Sequence, residues 1–233
     1  MRLHRFILDV DVSQPELFVA DPEILMQWMR VLRLRVGDTV ILCDGQGQEA
    51  WAELLSLDRG GAQLKLEPAI TVDDLEPERE VILYAAIIKG ENFEWAAQKA
   101  VECGVARIVP VISERTIKKE VALPRLKKIV KEAVEQSGRG VLPRVHEPLP
   151  FDLALAEASA HDAVVFFDGS GENFTADLLK DKETVGIFIG PEGGFSELEV
   201  DLARQKNFSI LTLGSRTLRA ETASAVATYL AAN

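Results

Sequence analysis

The sequence predicts an α/β protein: a small β-rich N-terminal domain, then a largely parallel sheet covered by helices on both faces. Two observations carry this. Through the first seventy or so residues the apolar runs are short, often alternating, and separated by Gly, Asp and Pro. Beyond residue 80 strand-like runs alternate with helix-like ones, the pattern of a parallel sheet with crossover helices. A third observation points to a ligand. Ile187–Ser196 (IFIGPEGGFS) and Leu211–Thr222 (LTLGSRTLRAET) each run a hydrophobic strand into a glycine-containing loop and then a helix start. Two such strand ends, side by side in one parallel sheet, would line a crevice with backbone N–H and C=O groups, where open α/β sheets bind small molecules.

In chain order, the N-terminal strands are FILDV, TVILCD, AWAELLSLD and AQLKLEPAI. Between the first two lies a short helix, EILMQWMRVLR, with Asp21 as N-cap and Pro22 at its first position. Gly45-Gln46-Gly47 sits between two strand-like runs and predicts a hairpin turn. Gly45, Gly47 and Ala50 also fit G-x-G-x-x-A, but a strand rather than a helix follows, so the dinucleotide reading fails. Residues 71–80, TVDDLEPERE, are acidic, contain a proline and lack apolar periodicity. They predict a linker, giving domains at 1–72 and 81–233 joined by 73–80. In the second domain VILYAAIIKG leads to the helix ENFEWAAQKAVECG, then RIVPVIS and the helix PRLKKIVKEAVEQSGR. DAVVFFDG, VGIFIG and FSILTLG are the later strands, with helices at FTADLLK, SELEVDLARQ and ETASAVATYLAA. Ser196 and Glu199 predict a capping box at one helix start.

Composition narrows the class. At 233 residues the chain can bury a sizeable core, its mean hydropathy is near zero, and no apolar run approaches the ~20 residues that span a bilayer. MRLHRFILDV is too short and too quickly charged for a signal peptide, so the expected compartment is the cytoplasm. Cys43 and Cys103 lack paired spacing and the three histidines are scattered, so no metal is expected and each thiol is expected to be buried and reduced. The net charge of −11 argues against nonspecific nucleic-acid binding. Yet Arg107–Arg144 holds ten Lys/Arg and four Asp/Glu, a local +6 that leaves −17 on the rest. That patch fits either phosphate binding or an amphipathic helix with a solvated basic face.

Four clusters carry candidate chemistry. In Gly190–Gly194 adjacent glycines permit positive φ and let a ligand lie against bare backbone, or they form a plain strand-to-helix turn. No Lys-Ser/Thr follows, against a Walker-type loop. Asp168-Gly-Ser-Gly171 after AVVFFD reads as a turn at a strand end. In the run from Gly214 to Ala223, Arg216 and Arg219 precede a helix rich in small residues that would let another backbone approach closely. Glu221 there is chemically reactive or simply favours the helix N-terminus. Glu135-Gln-Ser-Gly-Arg139 closes the most basic helix, either as capping with Gly138 at C′ or as a polar cluster facing a substrate.

Together these motifs resemble the RsmE family, SPOUT-class methyltransferases that modify N3 of a uridine in 16S ribosomal RNA. The resemblance rests on five ordered blocks: Lys89-Gly90 through Glu94-Trp95, Gln98-Lys99-Ala100, Glu102 and Gly104-Val105; Ser113-Glu114-Arg115; Glu135–Arg139; Ile189–Ser196; and Leu213–Ala223. N-terminal His4-Arg5-Phe6 suits the family's PUA-like β-barrel. Two positions depart from the pattern: Ser215 stands where proline is frequent, and Ala220 where threonine is common. The resemblance implies a C-terminal trefoil knot, which periodicity does not reveal, a homodimer through the knot domain, and S-adenosylmethionine as cofactor. Its contacts would come, largely through backbone, from Ile189, Gly190, Glu192, Gly193, Gly194, Leu213, Gly214, Leu218, Thr222 and Ala223.

Methylating uridine N3 requires removing its proton and stabilising the charge on the ring. Arg219 is expected to supply the cation, with Arg139 supporting it or gripping phosphate. Glu221 is expected either as the base or as the group that orients Arg219. Arg2, Arg5, Arg30 and Arg33 of the barrel, with Arg115, Lys118, Lys127 and Lys128, are expected to hold structured RNA of the small ribosomal subunit by its phosphates. The rival readings are another RNA or ribose target, a non-catalytic RNA-binding assembly factor, and a nucleotide-binding enzyme using GPEGG as an anion nest.

Overall fold

The computed structural model describes residues 3–72 and 75–233. Arg2, and Asp73 and Asp74 of the expected linker, lie outside them. The chain divides into two compact units, Met1–Glu76 with Val134–Leu142, and Pro77–Ala133 with Pro143–Asn233.

The first unit contains β1 (Arg5–Ile7), β2 (Glu16–Val19), α1 (Pro22–Met26), β3 (Thr39–Cys43), β4 (Gln48–Leu57), β5 (Ala62–Leu66) and β6 (Ile70–Thr71). They form one sheet in the order β1-β3-β4-β5-β2, with β6 on β4; β1 runs parallel to β3 and the other pairs are antiparallel. Strand alternation sets the core: Val40 and Leu42, Ala50, Ala52 and Leu54, and Ala62 and Leu64 point inward around Trp28, whose indole meets Phe6 edge-on at 5.3 Å. Asp21 caps α1 as expected, its carboxylate accepting the N–H groups of Glu23 (2.8 Å) and Ile24 (3.2 Å). The helix then widens into a π-helical run, Gln27–Leu32, that ends on Arg33 at φ 57°. The β3–β4 hairpin turns through Gly45 and Gly47 at φ 74° and 100°, with Asp44 accepting N–H bonds from Gln46 and Gln48.

The second unit contains β7 (Glu80–Ala86), α2 (Asn92–Glu102), β8 (Arg107–Ile112), β9 (Arg144–Val145), β10 (Leu149–Pro150), α4 (Phe151–Ala158), β11 (Ala163–Asn173), β12 (Thr184–Ile189), α5 (Glu197–Gln205), β13 (Ser209–Thr212) and α6 (Ala220–Ala232). All its strand pairs are parallel, in the order β10-β8-β7-β12-β11-β13 with β9 on β8. The central strands are buried on both faces, as helices covering both sides require. α4 and α5 share a core with Tyr84, Phe166 and Phe188. α2 and α6 pack together, and α6 lies on β7 and β12. The small-residue face of α6 is therefore covered from within: Ser224, Ala227, Thr228 and Ala231 are buried, and the Ser224 and Thr228 hydroxyls donate to the carbonyls four residues back.

Two expectations about this sheet are corrected. The strand ends carrying the glycine loops are not neighbours, because β11 lies between β12 and β13. Asp168-Gly-Ser-Gly171 is not a turn that ends a strand; β11 continues through it with a register shift between Phe167 and Glu172. The backbone of β13 comes so close that a Cβ on Gly171 would lie 2.5 Å from the Ile210 carbonyl oxygen, so glycine is needed there.

The Glu135–Arg139 motif lies at the end of α3 (Leu123–Ser137), and residues 134–142 pack with the first unit. Gly138, at φ 87°, gives its N–H to the Val134 carbonyl, the C′ geometry read from the sequence. Glu135 accepts the N–H of Ile7 at 2.9 Å. At the other end of the expected linker, Arg79 donates to the carbonyls of Lys182, Ala231 and Leu179 at 3.0, 2.6 and 2.9 Å.

Candidate active site

The carboxyl ends of β12, β11 and β13, with the loops that follow, enclose a cleft of two adjoining lobes. One, about 630 Å³, is lined by Phe167, Asp168, Gly169, Asn173, residues 212–218 and Ala223. The other, about 460 Å³, is lined by Asn92, residues 189–192, Gly194, residues 217–221 and Ala223, and shares Phe167, Asp168 and Gly169. Together they have the size of a small-molecule site. Bare backbone faces the space: a Cβ on Gly169, Gly194 or Gly214 would meet nothing within 4 Å, and Gly194 and Gly214 sit at φ 68° and 107°, where a side chain is strained. Gly190 is a packing glycine instead, its would-be Cβ 3.1 Å from the Phe195 ring.

The loop between β12 and α5 is tied down at three places. The Lys89 N–H donates to Glu192 at 3.2 Å. Arg115 Nη1 donates to the carbonyls of Gly193 (2.7 Å) and Phe195 (3.2 Å). Glu199, 5 % exposed, accepts the Ser196 N–H on one oxygen and the Glu114 N–H on the other, both at 2.8 Å; the Ser196 hydroxyl completes the capping box read from the sequence.

Ile189, Gly190, Glu192, Gly194, Leu213, Gly214, Leu218 and Ala223 all line the cleft, as do Arg219 and Glu221; Gly193 and Thr222 do not. Arg219 Nη1 lies 3.9 Å from Glu221 Oε1, and the exposures differ sharply, 85 % for the arginine side chain against 12 % for the glutamate. Glu221 stands in the first turn of α6, where the helix end favours its negative charge. Sequence reading missed Phe167, Asp168, Gly169, Asn173, Asn92 and Thr217. The available signal was Asp168-Gly169 immediately after a buried strand: the Asp168 carboxylate folds back to accept the N–H and O–H of Ser170, and Gly169 is left open to the cleft.

Three of the expected functional arginines have other partners. Arg139 is 4 % exposed; its guanidinium donates to Glu76 through Nε and through Nη2 at 2.6 Å, and Glu76 also accepts the N–H groups of Gly140 and Val141 at 3.1 Å. It is a buried tie of the first unit. Arg5 pairs with buried Glu49 and touches Cys43. Arg115 holds the glycine loop. Arg30, Arg33, Lys118, Lys127 and Lys128 are exposed, as a phosphate-binding role requires. Residues 1–76 nevertheless carry seven Lys/Arg against fourteen Asp/Glu, so the basic character sits in the segment between Arg107 and Arg144. Cys43 is buried, and desolvation pushes its thiol up to about 11, as suits an inert structural cysteine; Cys103 is half-buried.

A parallel sheet with a backbone-lined cleft at its carboxyl end, joined to a β-domain, defines a class. The RNA methyltransferase domain family matches residues 75–232, and the RNA methyltransferase PUA domain family matches residues 29–67. The chain is thus a two-domain RNA methyltransferase in architecture. It is 30 % identical over 238 residues to the Bacillus subtilis ribosomal RNA small subunit methyltransferase E, covering 95 % of this chain and 93 % of the relative. It is 36 % identical over 205 residues to the Synechocystis protein of that name, covering 85 % and 67 %. The crystal structure of the Neisseria gonorrhoeae ribosomal RNA small subunit methyltransferase E bound to S-adenosyl methionine superposes with a TM-score of 0.89 at 31 % identity, over 97 % of this chain and 95 % of that one. A methyltransferase structure from Legionella pneumophila with bound SAM gives 0.87 at 28 % identity, over 99 % and 97 %. The chain belongs to the ribosomal RNA small subunit methyltransferase E family.

Proposed function

We propose that this protein transfers the methyl group of S-adenosylmethionine to N3 of a uridine in 16S ribosomal RNA of the small subunit. The observation that carries the reading is the two-lobed cleft in which Gly169, Gly194 and Gly214 present backbone without side chains in front of it. The residues fit that cofactor. Backbone N–H and C=O groups suit the edges of an adenine, the volume suits a nucleoside with an amino-acid tail, and Arg219 and Glu221 stand at the charged lobe.

When bound, S-adenosylmethionine supplies an electrophilic methyl group on a sulfonium. Arg219, exposed at the cleft, stabilises the negative charge that the uracil ring gains as its N3 proton passes to solvent water. Glu221, held at 3.9 Å from it, orients that guanidinium. Lys118, Lys127 and Lys128, with Arg30 and Arg33 of the PUA-like domain, hold RNA phosphates. Val226, Tyr229 and Leu230, exposed on α6, support a homodimer through the second domain. The return of the chain from β12 across β11 to β13 supports the trefoil knot. The expected location is the cytoplasm, where ribosomal RNA is found.

The test separates binding from chemistry. Arg219→Ala should lower kcat by about 10²–10³-fold while calorimetric affinity for S-adenosylmethionine stays as in the wild type. An unchanged kcat would remove Arg219 from the reaction.

A further inference from the structure

Arg115 lies in the basic segment, among lysines that face solvent, and its charge alone suggests an RNA contact. Its geometry says something else. One nitrogen, Nη1, donates to two carbonyls of the same loop, Gly193 at 2.7 Å and Phe195 at 3.2 Å. These carbonyls flank Gly194, which sits at φ 68° and opens onto the cleft. Fixing both holds the Gly193–Gly194 and Phe195–Ser196 peptide planes, which bracket the residue that a ligand would lie against.

The turn that carries Arg115 is itself fixed. Ser113 and Thr116 are buried, their hydroxyls 2.9 Å apart; the Ser113 N–H donates to the Thr116 hydroxyl, and the Thr116 N–H to the Ser113 carbonyl. Between them, the Glu114 N–H is held by Glu199, which also holds the Ser196 N–H at the far end of the glycine loop. The clamp therefore stands on a rigid base. It acts where rigidity matters: two adjacent glycines lose more conformational freedom on ordering than any other pair, and a ligand must supply whatever ordering the apo loop lacks.

We propose that Arg115 is a positioning residue for the methyl-donor site, holding Gly193–Phe195 in the conformation that presents Gly194 to the cleft. The proposal rests on the reading of that cleft as the S-adenosylmethionine site. It touches neither RNA nor the reacting atoms. Because Arg115 is exposed, its removal leaves the core intact.

The experiment uses the full-length protein with Arg115→Ala and Arg115→Gln. In the cofactor-free protein, hydrogen exchange at residues 192–196 should accelerate in Arg115→Ala. Its affinity for S-adenosylmethionine should fall roughly tenfold, the scale of a lost charge-assisted hydrogen bond. RNA affinity at matched salt, and its salt slope, should not change. Arg115→Gln, neutral but still an N–H donor, should keep more donor affinity than Arg115→Ala. The proposal is overturned if exchange and donor affinity match the wild type. It is equally overturned if both variants lose RNA affinity together, with a salt slope shallower by about one. If the wild type itself binds no S-adenosylmethionine while Arg115→Ala still loosens residues 192–196, the clamp stands and the identity of the ligand falls.

Discussion

Replacing Glu76 tests whether Arg139 is structural or catalytic. The Glu76 carboxylate accepts Arg139 Nη2 at 2.6 Å and Nε at 3.1 Å, and the N–H groups of Gly140 and Val141 at 3.1 Å each. The Arg139 side chain is 5 % exposed and that of Glu76 18 %. Removing one partner of such a buried pair costs about 3–5 kcal/mol, because the remaining charge loses a hydrogen-bonded counterion in a poorly solvated place. Val141 is exposed, so water recovers its hydrogen bond; buried Gly140 has no such recourse and keeps Glu76→Ala in the upper half of that range. Glu76→Gln keeps the shape and one acceptor oxygen and should fall about midway. The assay is urea unfolding of the full chain followed by tryptophan fluorescence, since buried Trp28 reports on the first unit. The midpoint of the transition is compared between variants. Arg139→Ala and Glu76→Ala should destabilise alike, and both should bind S-adenosylmethionine as the wild type does. The reasoning is refuted if Glu76→Ala is stable and active while Arg139→Ala is stable and inactive.

Gly169→Val places its Cβ where no atom lies within 4 Å, at the lining of the cleft, so thermal stability should hold while affinity for S-adenosylmethionine drops at least tenfold in calorimetry; undiminished affinity would move the ligand elsewhere. His161 hydrogen-bonds Tyr84 at 2.9 Å, and burial holds its imidazole below the usual 6.5. The unfolded chain therefore takes up the proton first, and stability should fall as pH drops below about 6.5, with a shallower slope in His161→Gln; parallel slopes in denaturant midpoints would refute this. Reversing charge at Lys127 and Lys128 should weaken RNA binding and flatten its salt dependence, with S-adenosylmethionine affinity unchanged; equal RNA binding at matched salt would defeat it.

Local chemistry made much of the fold legible. The Asp21 cap, the Ser196–Glu199 capping box, the Gly45–Gly47 hairpin and the C′ glycine at 138 each satisfy backbone groups within a few residues, so their signals are short-range. Both glycine loops were visible for the same reason. Strand order was not: nothing local says that β11 separates β12 from β13. Asp168-Gly-Ser-Gly171 misled because Asp and Gly mark turns, whereas here a neighbouring strand demands the glycine at 171. The partners of three expected functional arginines were not legible because they are remote, Glu49 at 44 residues from Arg5, Glu76 at 63 from Arg139 and the Gly193 carbonyl at 78 from Arg115. Composition counts a cation in each case and does not reveal that it is already engaged.

The central claim is that the backbone-lined cleft carries out methyl transfer to small-subunit ribosomal RNA. The most direct measurement incubates the protein with labelled S-adenosylmethionine and unmodified small ribosomal subunits, then digests the RNA and identifies the labelled nucleoside. Label in 3-methyluridine at a single site, absent from the Gly169→Val protein, is the predicted result. Label in another nucleoside, or none while the protein still binds the cofactor, would contradict it.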